Sequence, residues 1–181
     1  MNVGKELSEA DITSMMHPGS LRIYNANFYS IQRGQIWRLI TPIFLHFNLL
    51  HILFNMMALV ALGTAIEYRR GTLRYLLMVL LIAAGSNVTQ FIMSGPAFGG
   101  MSGVVYGLFG YLWIKGKYDP TFGVRLNQEA ITSMLLWLVL CMTGILGPIA
   151  NAAHVAGLII GILLAAISLP LKKQAVPAPQ V

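Results

Sequence analysis

What is scarce in this chain narrows its chemistry first. Only 10% of its 181 residues are charged, against roughly 25% in an average soluble domain, so an ordinary water-facing surface is excluded. The acidic residues avoid the apolar stretches. Glu6, Glu9 and Asp11 fall in the polar N-terminal part, and Glu67, Asp119 and Glu129 lie at or beyond the ends of apolar segments. No buried carboxylate is available to orient a catalytic histidine, which excludes an obvious Ser-His-Asp triad. The single cysteine, Cys141, sits in an apolar run, which excludes an internal disulfide and most metal schemes. No cofactor is expected. Residues 1–40 show no signal-peptide pattern and no apolar run long enough to cross a bilayer, and no internal repeat is visible.

What is abundant is hydrophobicity: 56% of the residues and a mean hydropathy of +0.70. These describe an all-α, polytopic membrane bundle. Five spans are expected, at about 49–66, 73–93, 102–114, 130–146 and 151–169. The net charge of +6 reports orientation rather than a nucleic-acid partner. Arg69, Arg70, Arg74, Lys115, Lys117, Arg125, Lys172 and Lys173 all fall on one side of such a bundle, and the opposite loops, 94–101 and 147–150, carry no charge. By the positive-inside rule the basic side is cytoplasmic. Within residues 1–40, Tyr24, Phe28, Tyr29 and Trp37 are interleaved with Arg22, Arg33 and Arg38, a composition suited to the headgroup level outside. The chain thus divides into an extracytoplasmic, interfacial segment (1–40), a membrane domain (41–169) and a disordered cytoplasmic tail (170–181).

The stretch Phe98-Gly99-Gly100-Met101-Ser102-Gly103 leads from an uncharged, Gly-rich loop into the third span. Ended by Lys115, Gly116 and Lys117, a helix over 102–114 covers only about 20 Å at 1.5 Å per residue. Ser102 would then start roughly 10 Å inside a 30 Å hydrocarbon core. A hydroxyl there suits a nucleophile, with glycines that admit a substrate backbone and free N–H groups in the first turn. Alone, Gly-x-Ser-Gly says little, because small residues also pack membrane helices. The other polar residues at this level decide the matter: His46, His51 and Asn55 near the start of span one, and Asn151 and His154 at the start of span five. Ionisable and amide groups gathered at one depth point to function more than to polar glue. His51 and Asn55 share a helix face, as do Ser102 and Tyr106. Gly103, Gly107 and Gly110 on span three and Ala153, Gly157 and Gly161 on span five form small-residue ridges that pair these spans. That pairing turns His154 toward Ser102, the arrangement of a nucleophile and its base.

Trp37-Arg38, His46-x4-His51-x3-Asn55, Gly63-x3-Glu67-x3-Gly71, Gly100-x-Ser102-Gly103-x2-Tyr106 and Ala153-His154-x2-Gly157-x3-Gly161 together resemble the rhomboid intramembrane serine proteases, most closely the bacterial GlpG type. The likeness covers Trp37 to about Ser168. It implies a helical bundle that cleaves transmembrane segments of other proteins, with Ser102 as nucleophile and His154 as general base. By the same match His51 and Asn55, with the Ser102 backbone N–H, resemble the oxyanion hole. Tyr106 resembles the residue packed on the catalytic histidine and His46 a supporting neighbour, while Gly100 and Asn151 complete the site. Phe54 and Trp137 resemble a gate between the first and fourth spans. The implied partners are the bilayer and single-pass membrane proteins with a small residue before the cut bond, and the implied location is a bacterial inner membrane with the site opening outward.

Rhomboids have six core helices, the first preceding the Trp37-Arg38 loop, and this sequence shows none there. Expectations are therefore a shortened chain, a misread start site or a genuine five-span rhomboid. A Ser102–His154 dyad is the primary reading. The alternatives are a rhomboid-like protein that binds clients without cutting them, and an inactive truncated rhomboid.

Overall fold

A computed structural model describes residues 30–170. Among the described residues the bundle holds five full α-helices: α1 (Leu49–Arg70), α2 (Thr72–Ser94), α3 (Ser102–Tyr118), α4 (Gln128–Met142) and α5 (Asn151–Ile167). Short 3₁₀ turns at Ile36–Leu39 and Thr41–Phe44 precede α1, and another at Pro120–Phe122 follows α3. No strand occurs among the described residues. The readings of 1–29 and 171–181 lie outside them.

Helix α3 is the axis. Every residue from Gly103 through Leu112 is buried, as expected of a helix that is apolar all round. Helix α5 lies against it at backbone contact. A Cβ at Gly157 would run into the carbonyl oxygen of Gly103, and one at Gly161 into that of Gly107. From the other side, a Cβ at Gly110 would sit 2.7 Å from the Leu158 carbonyl oxygen. The small-residue ridges on spans three and five thus meet as the sequence pattern predicts. Helix α2 flanks both α3 and α5, α1 packs on α3 and α2, and α4 touches the bundle lightly, mainly through α5.

Apolar side chains also face outward in number, among them Met57, Val60, Leu77, Leu81, Leu136 and Val139, more than a soluble monomer exposes. They form the lipid-facing coat of a membrane protein. Helices α1 and α2 are each long and apolar enough to cross a membrane, whereas α4 and α5 are apolar but shorter.

The helix limits differ instructively from expectation. Span one continues past Ile66 to Arg70 and stops at Gly71, whose φ of +80° and ψ of 155° suit glycine alone; α2 starts at the next residue. Helix α4 starts at Gln128, capped by the Asn127 side chain, and ends at Met142 rather than Leu146, before Gly144 turns the chain at φ +77°. Most consequentially, α3 does not stop at Ile114. It continues for 17 residues to Tyr118, about 26 Å at the α-helical rise, so the short-helix argument for a deeply submerged Ser102 loses most of its force. Lys-Gly-Lys fails to end the helix because Lys115 turns into the protein instead of out of it. It is 1% exposed, and its Nζ donates to Asp119 Oδ2 (2.6 Å) and to the Ser168 carbonyl oxygen (2.7 Å).

That lysine belongs to a polar clasp closing one end of the bundle. Asp119 Oδ1 accepts from the Thr121 hydroxyl (2.5 Å) and backbone N–H (3.1 Å). Arg70 Nε donates to the Tyr111 hydroxyl (2.6 Å), and Arg69 Nε donates to the Phe122 carbonyl oxygen. The clasp joins the ends of α1, α3 and α5 and fixes the register in which α5 runs along α3.

Candidate active site

At the opposite end, the loop before α3 is pinned beneath the segment that leads into α1. The Gly100 N–H donates to the Pro42 carbonyl oxygen (3.0 Å), and Gly99 is so close to Leu45 that a Cβ there would lie 2.7 Å from the Leu45 Cβ. No side chain caps the N-terminus of α3, so its first-turn amides keep the partial positive charge of a helix start. Ser102 opens this turn, partly exposed.

His154, one turn into α5 and buried, places its Nε2 2.7 Å from Ser102 Oγ. Both helix starts are anchored to produce this contact. The α5 start is held by Gln90 of α2, whose Oε1 accepts from the Ala153 N–H at 3.0 Å, and the Gly157–Gly103 backbone contact fixes the separation of the helices. The Tyr106 ring lies against the imidazole, with centroids 4.9 Å apart and planes inclined by 38°. Tyr106 is itself held by its hydroxyl, which donates to the Met134 carbonyl oxygen (3.2 Å). No carboxylate approaches the histidine: among the described residues its buried Nδ1 has no hydrogen-bond partner.

Helix α1 supplies the other wall. Asn48 caps it by accepting from the His51 N–H (2.8 Å), and Asn55 Nδ2 donates to the His51 carbonyl oxygen (2.8 Å), so His51 is fixed from both directions. Its imidazole covers Gly100. An alanine Cβ at Gly100, where φ is +124°, would lie 2.7 Å from His51 Cε1 and Nε2 and 3.8 Å from Ser102 Oγ. The bare Cα is thus what allows the ring to stand beside the hydroxyl. His46 meets His51 edge-on at 4.9 Å, and its Nδ1–H donates to the Phe44 carbonyl oxygen (3.2 Å).

Of the residues singled out from the sequence, Ser102, His154, Tyr106, His51 and Gly100 converge on one small volume. Asn55 stands one turn deeper, buried, with its amide engaged on its own helix, and His46 sits behind His51. Asn151 turns partly aside: its Nδ2 donates to the Cys141 carbonyl oxygen (3.1 Å) and ties α5 to α4. Phe54 and Trp137 meet across the cleft between α1 and α4, centroids 6.4 Å apart. Three buried polar residues on α2 escaped the sequence reading: Ser86, Asn87 and Gln90. Ser86 packs against Gly103, Asn87 Nδ2 donates to the Leu39 carbonyl oxygen (2.8 Å), and Gln90 holds the start of α5. Their spacing in an otherwise apolar span puts them on one helix face. The same rule that drew notice to Asn55 would have found them.

Chemically, this is a serine hydroxyl bonded to a buried imidazole, with a second imidazole and uncapped helix amides nearby. Comparison with known proteins gives the family. A family model described as a Rhomboid domain matches residues 33–171. The chain is 48% identical over 139 residues to a rhomboid protease GlpG of Yersinia pseudotuberculosis serotype I (strain IP32953), and equally to one of Yersinia pestis (strain Pestoides F). It is 42% identical over 139 residues to a rhomboid protease GlpG of Salmonella paratyphi A. Each match covers 76% of this chain and 50% of the relative, so the chain spans about half the length of the curated relatives it matches. On the family match over residues 33–171 and on these identities, the chain belongs to the rhomboid family.

Proposed function

We propose that this protein is an intramembrane serine endopeptidase that cuts transmembrane segments with a Ser102–His154 dyad. The observation that carries the reading is the 2.7 Å contact between His154 Nε2 and Ser102 Oγ, made between two helices locked at backbone distance. The curated relatives are named as proteases of this family, which supports the same activity here.

In this mechanism the neutral His154 takes the Ser102 proton at Nε2 as Oγ attacks a peptide carbonyl, then returns it to the leaving amine. The ring needs no carboxylate to orient it, because the tilted Tyr106 ring packed against it holds its position. Negative charge grows on the substrate oxygen between the uncapped α3 amides and the α1 wall. There His51 Nε2 and the Asn55 amide serve as donors, which requires Asn55 to turn from the His51 carbonyl as charge develops. Gly100 leaves room for the scissile backbone, and His46 and Asn151 support His51 and the α5 start. Water then releases the acyl-enzyme.

All five helices belong to the membrane domain in this reading. The basic Lys115 end is cytoplasmic by the positive-inside rule, so the Ser102 end opens outward, in a bacterial inner membrane. The Phe54–Trp137 contact closes the cleft through which a substrate helix enters. Substrates are single-pass segments with Gly, Pro or polar residues near the outer boundary, because a regular helix hides its carbonyls in hydrogen bonds. Labelling of the purified protein by a fluorophosphonate probe, with Ser102→Ala as control, tests the assignment. Labelling that survives in the control, or is missing from both proteins, refutes the dyad.

A further inference from the structure

The end of the bundle remote from Ser102 carries more positive charge than its own carboxylates balance. Arg69, Arg70, Arg74, Lys115, Lys117 and Arg125 gather there with Glu67, Asp119 and Glu129. Three of these cations surround one ring: Arg70, Lys115 and Arg69 lie 5.4, 5.7 and 6.0 Å from the centroid of Phe122. Asp119 is matched to Lys115 by a 2.6 Å ion pair, which leaves the two guanidinium groups without a carboxylate partner among the described residues.

Those guanidinium groups line an open cleft of about 320 Å³ with Tyr68, Thr121 and Phe122, within the size range of small-ligand sites, roughly 300–1,000 Å³. They are held there rather than waving in solvent. Arg69 donates through Nε to the Phe122 carbonyl oxygen and through Nη2 to that of Thr121 (3.4 Å). Arg70 donates through Nε to the Tyr111 hydroxyl and through Nη2 to Ser168 Oγ (3.3 Å). The acceptors are neutral, so both charges stay uncompensated, and the Nη1 groups have no acceptor among the described residues. Two fixed positive charges, each with its Nη1 group left over beside a cleft, suit a group with several anionic oxygens.

We propose that this cleft is a binding site for a phosphate group, with Arg69 and Arg70 as its charged ligands and Thr121 at its wall. An anionic phospholipid headgroup of the leaflet on that side would supply such a group, as would free phosphate. On the orientation argued above the cleft lies at the cytoplasmic face, where basic pockets meet anionic lipid. Tyr68, 84% exposed, stands at the rim as an interfacial aromatic does.

The test uses the full chain, purified and then analysed by native mass spectrometry after exchange into micelles holding equal phosphatidylglycerol and phosphatidylcholine. The wild-type protein is expected to keep one phosphatidylglycerol in preference to phosphatidylcholine. Tyr68→Glu places a carboxylate at the rim without removing either guanidinium, and should cut that retention by about ten-fold. Tyr68→Gln and Arg74→Gln, which alter the rim without charge and a basic residue outside the cleft, should retain the lipid. Millimolar inorganic phosphate separates the two sources. If phosphate displaces the lipid and raises the thermal midpoint, the site takes the free ion as well; if the lipid stays, the headgroup is the ligand. Equal retention of both lipids without any phosphate-dependent rise in midpoint overturns the site. So does unchanged retention in Tyr68→Glu, or equal loss in Arg74→Gln, which would reduce the effect to diffuse surface charge.

Discussion

The two ends of this bundle use their polar residues in opposite ways. At the Lys115 end, hydrogen bonds are dense and directed at neighbours: Lys115 has two acceptors, Asp119 Oδ1 two donors, and Arg69 and Arg70 two protein partners each. At the Ser102 end no carboxylate occurs among the described residues. The three buried polar side-chain atoms that lack a partner among the described residues, His46 Nε2, Asn151 Oδ1 and His154 Nδ1, all lie there. Lys115 and Asp119, bonded to each other and to their neighbours, hold structure, and Arg69 and Arg70 do so through Nε and Nη2 while keeping Nη1 for the cleft. The unspent ring and amide atoms of the Ser102 end have something to offer a reacting molecule. The division teaches where each kind of mutation should act. Changes at the Ser102 end should cost activity and little stability, and changes at the Lys115 end the reverse.

The sharpest way to break this division is at the dyad. Ser102→Ala and His154→Ala are each expected to lower cleavage of a model transmembrane substrate by about 10⁴-fold or more, with the thermal midpoint in detergent little changed. Because the two side chains act as a unit, the double variant should be scarcely slower than either single one. Additive losses would mean that they work independently.

Between the two ends, the α3–α5 seam should fail in both respects. Gly157→Val puts a branched side chain where the Gly103 carbonyl oxygen stands, and a backbone atom cannot swing aside as a flexible side chain can. A loss of about 3 kcal/mol, the upper part of the usual overpacking range, is expected together with lost activity, since His154 moves away from Ser102. Thermal unfolding and cleavage assays read both. A variant that keeps its midpoint while losing activity would place Gly157 with the reacting groups rather than the scaffold.

Much of this geometry was legible in the sequence, for physical reasons. Polar residues are costly at membrane depth, so Ser102, His51, Asn55 and His154 stood out against an apolar background. The glycine ridges specified which helices touch, because only small residues permit backbone contact. The Lys115 end was not legible. A lysine at the end of an apolar run reads as a surface anchor, and nothing local announces that Asp119, one turn on, and the distant Ser168 carbonyl will take it inside. That pairing lengthened α3 by a turn and undid the estimate of how deep Ser102 lies. Gln90, Ser86 and Asn87 are hard to single out because the apolar residues around them already make α2 a membrane-spanning helix.

A subtler variant separates position from chemistry at the Ser102 end. Gly100→Ala adds one methyl group that meets the His51 ring at 2.7 Å, at a residue whose φ of +124° disfavours any side chain. The imidazole must give way, although Ser102 and His154 are untouched. Cleavage is expected to slow about 10²-fold, the size of a lost oxyanion donor, mostly in kcat. Probe labelling should fall less than in Ser102→Ala. A rise in KM alone would make the His51 wall a substrate-positioning surface instead.

The smallest expected effect tests the Lys115 end by pH. The hydrogen bond from Lys115, and then that from the Thr121 hydroxyl, hold the Asp119 carboxyl below its ordinary 3.8, to about 2. A depressed carboxyl binds its proton less readily in the folded chain than in the unfolded one. Its contribution is therefore fully present above about pH 4 and is lost as pH falls through about 2. Asp119→Asn should lower the thermal midpoint at neutral pH and flatten the decline between about pH 4 and pH 2, since the amide has no proton to gain. Glu67 and Glu129 remain in both proteins, so the difference between the two curves isolates the clasp. The Ser102 end, untouched by the substitution, should add nothing to that difference, and neutral-pH probe labelling of Asp119→Asn should match the wild type below the variant's melting temperature. Parallel midpoint curves would mean that Asp119 titrates alike in the folded and unfolded chain, and the clasp would then lose its place as the charged anchor of the bundle.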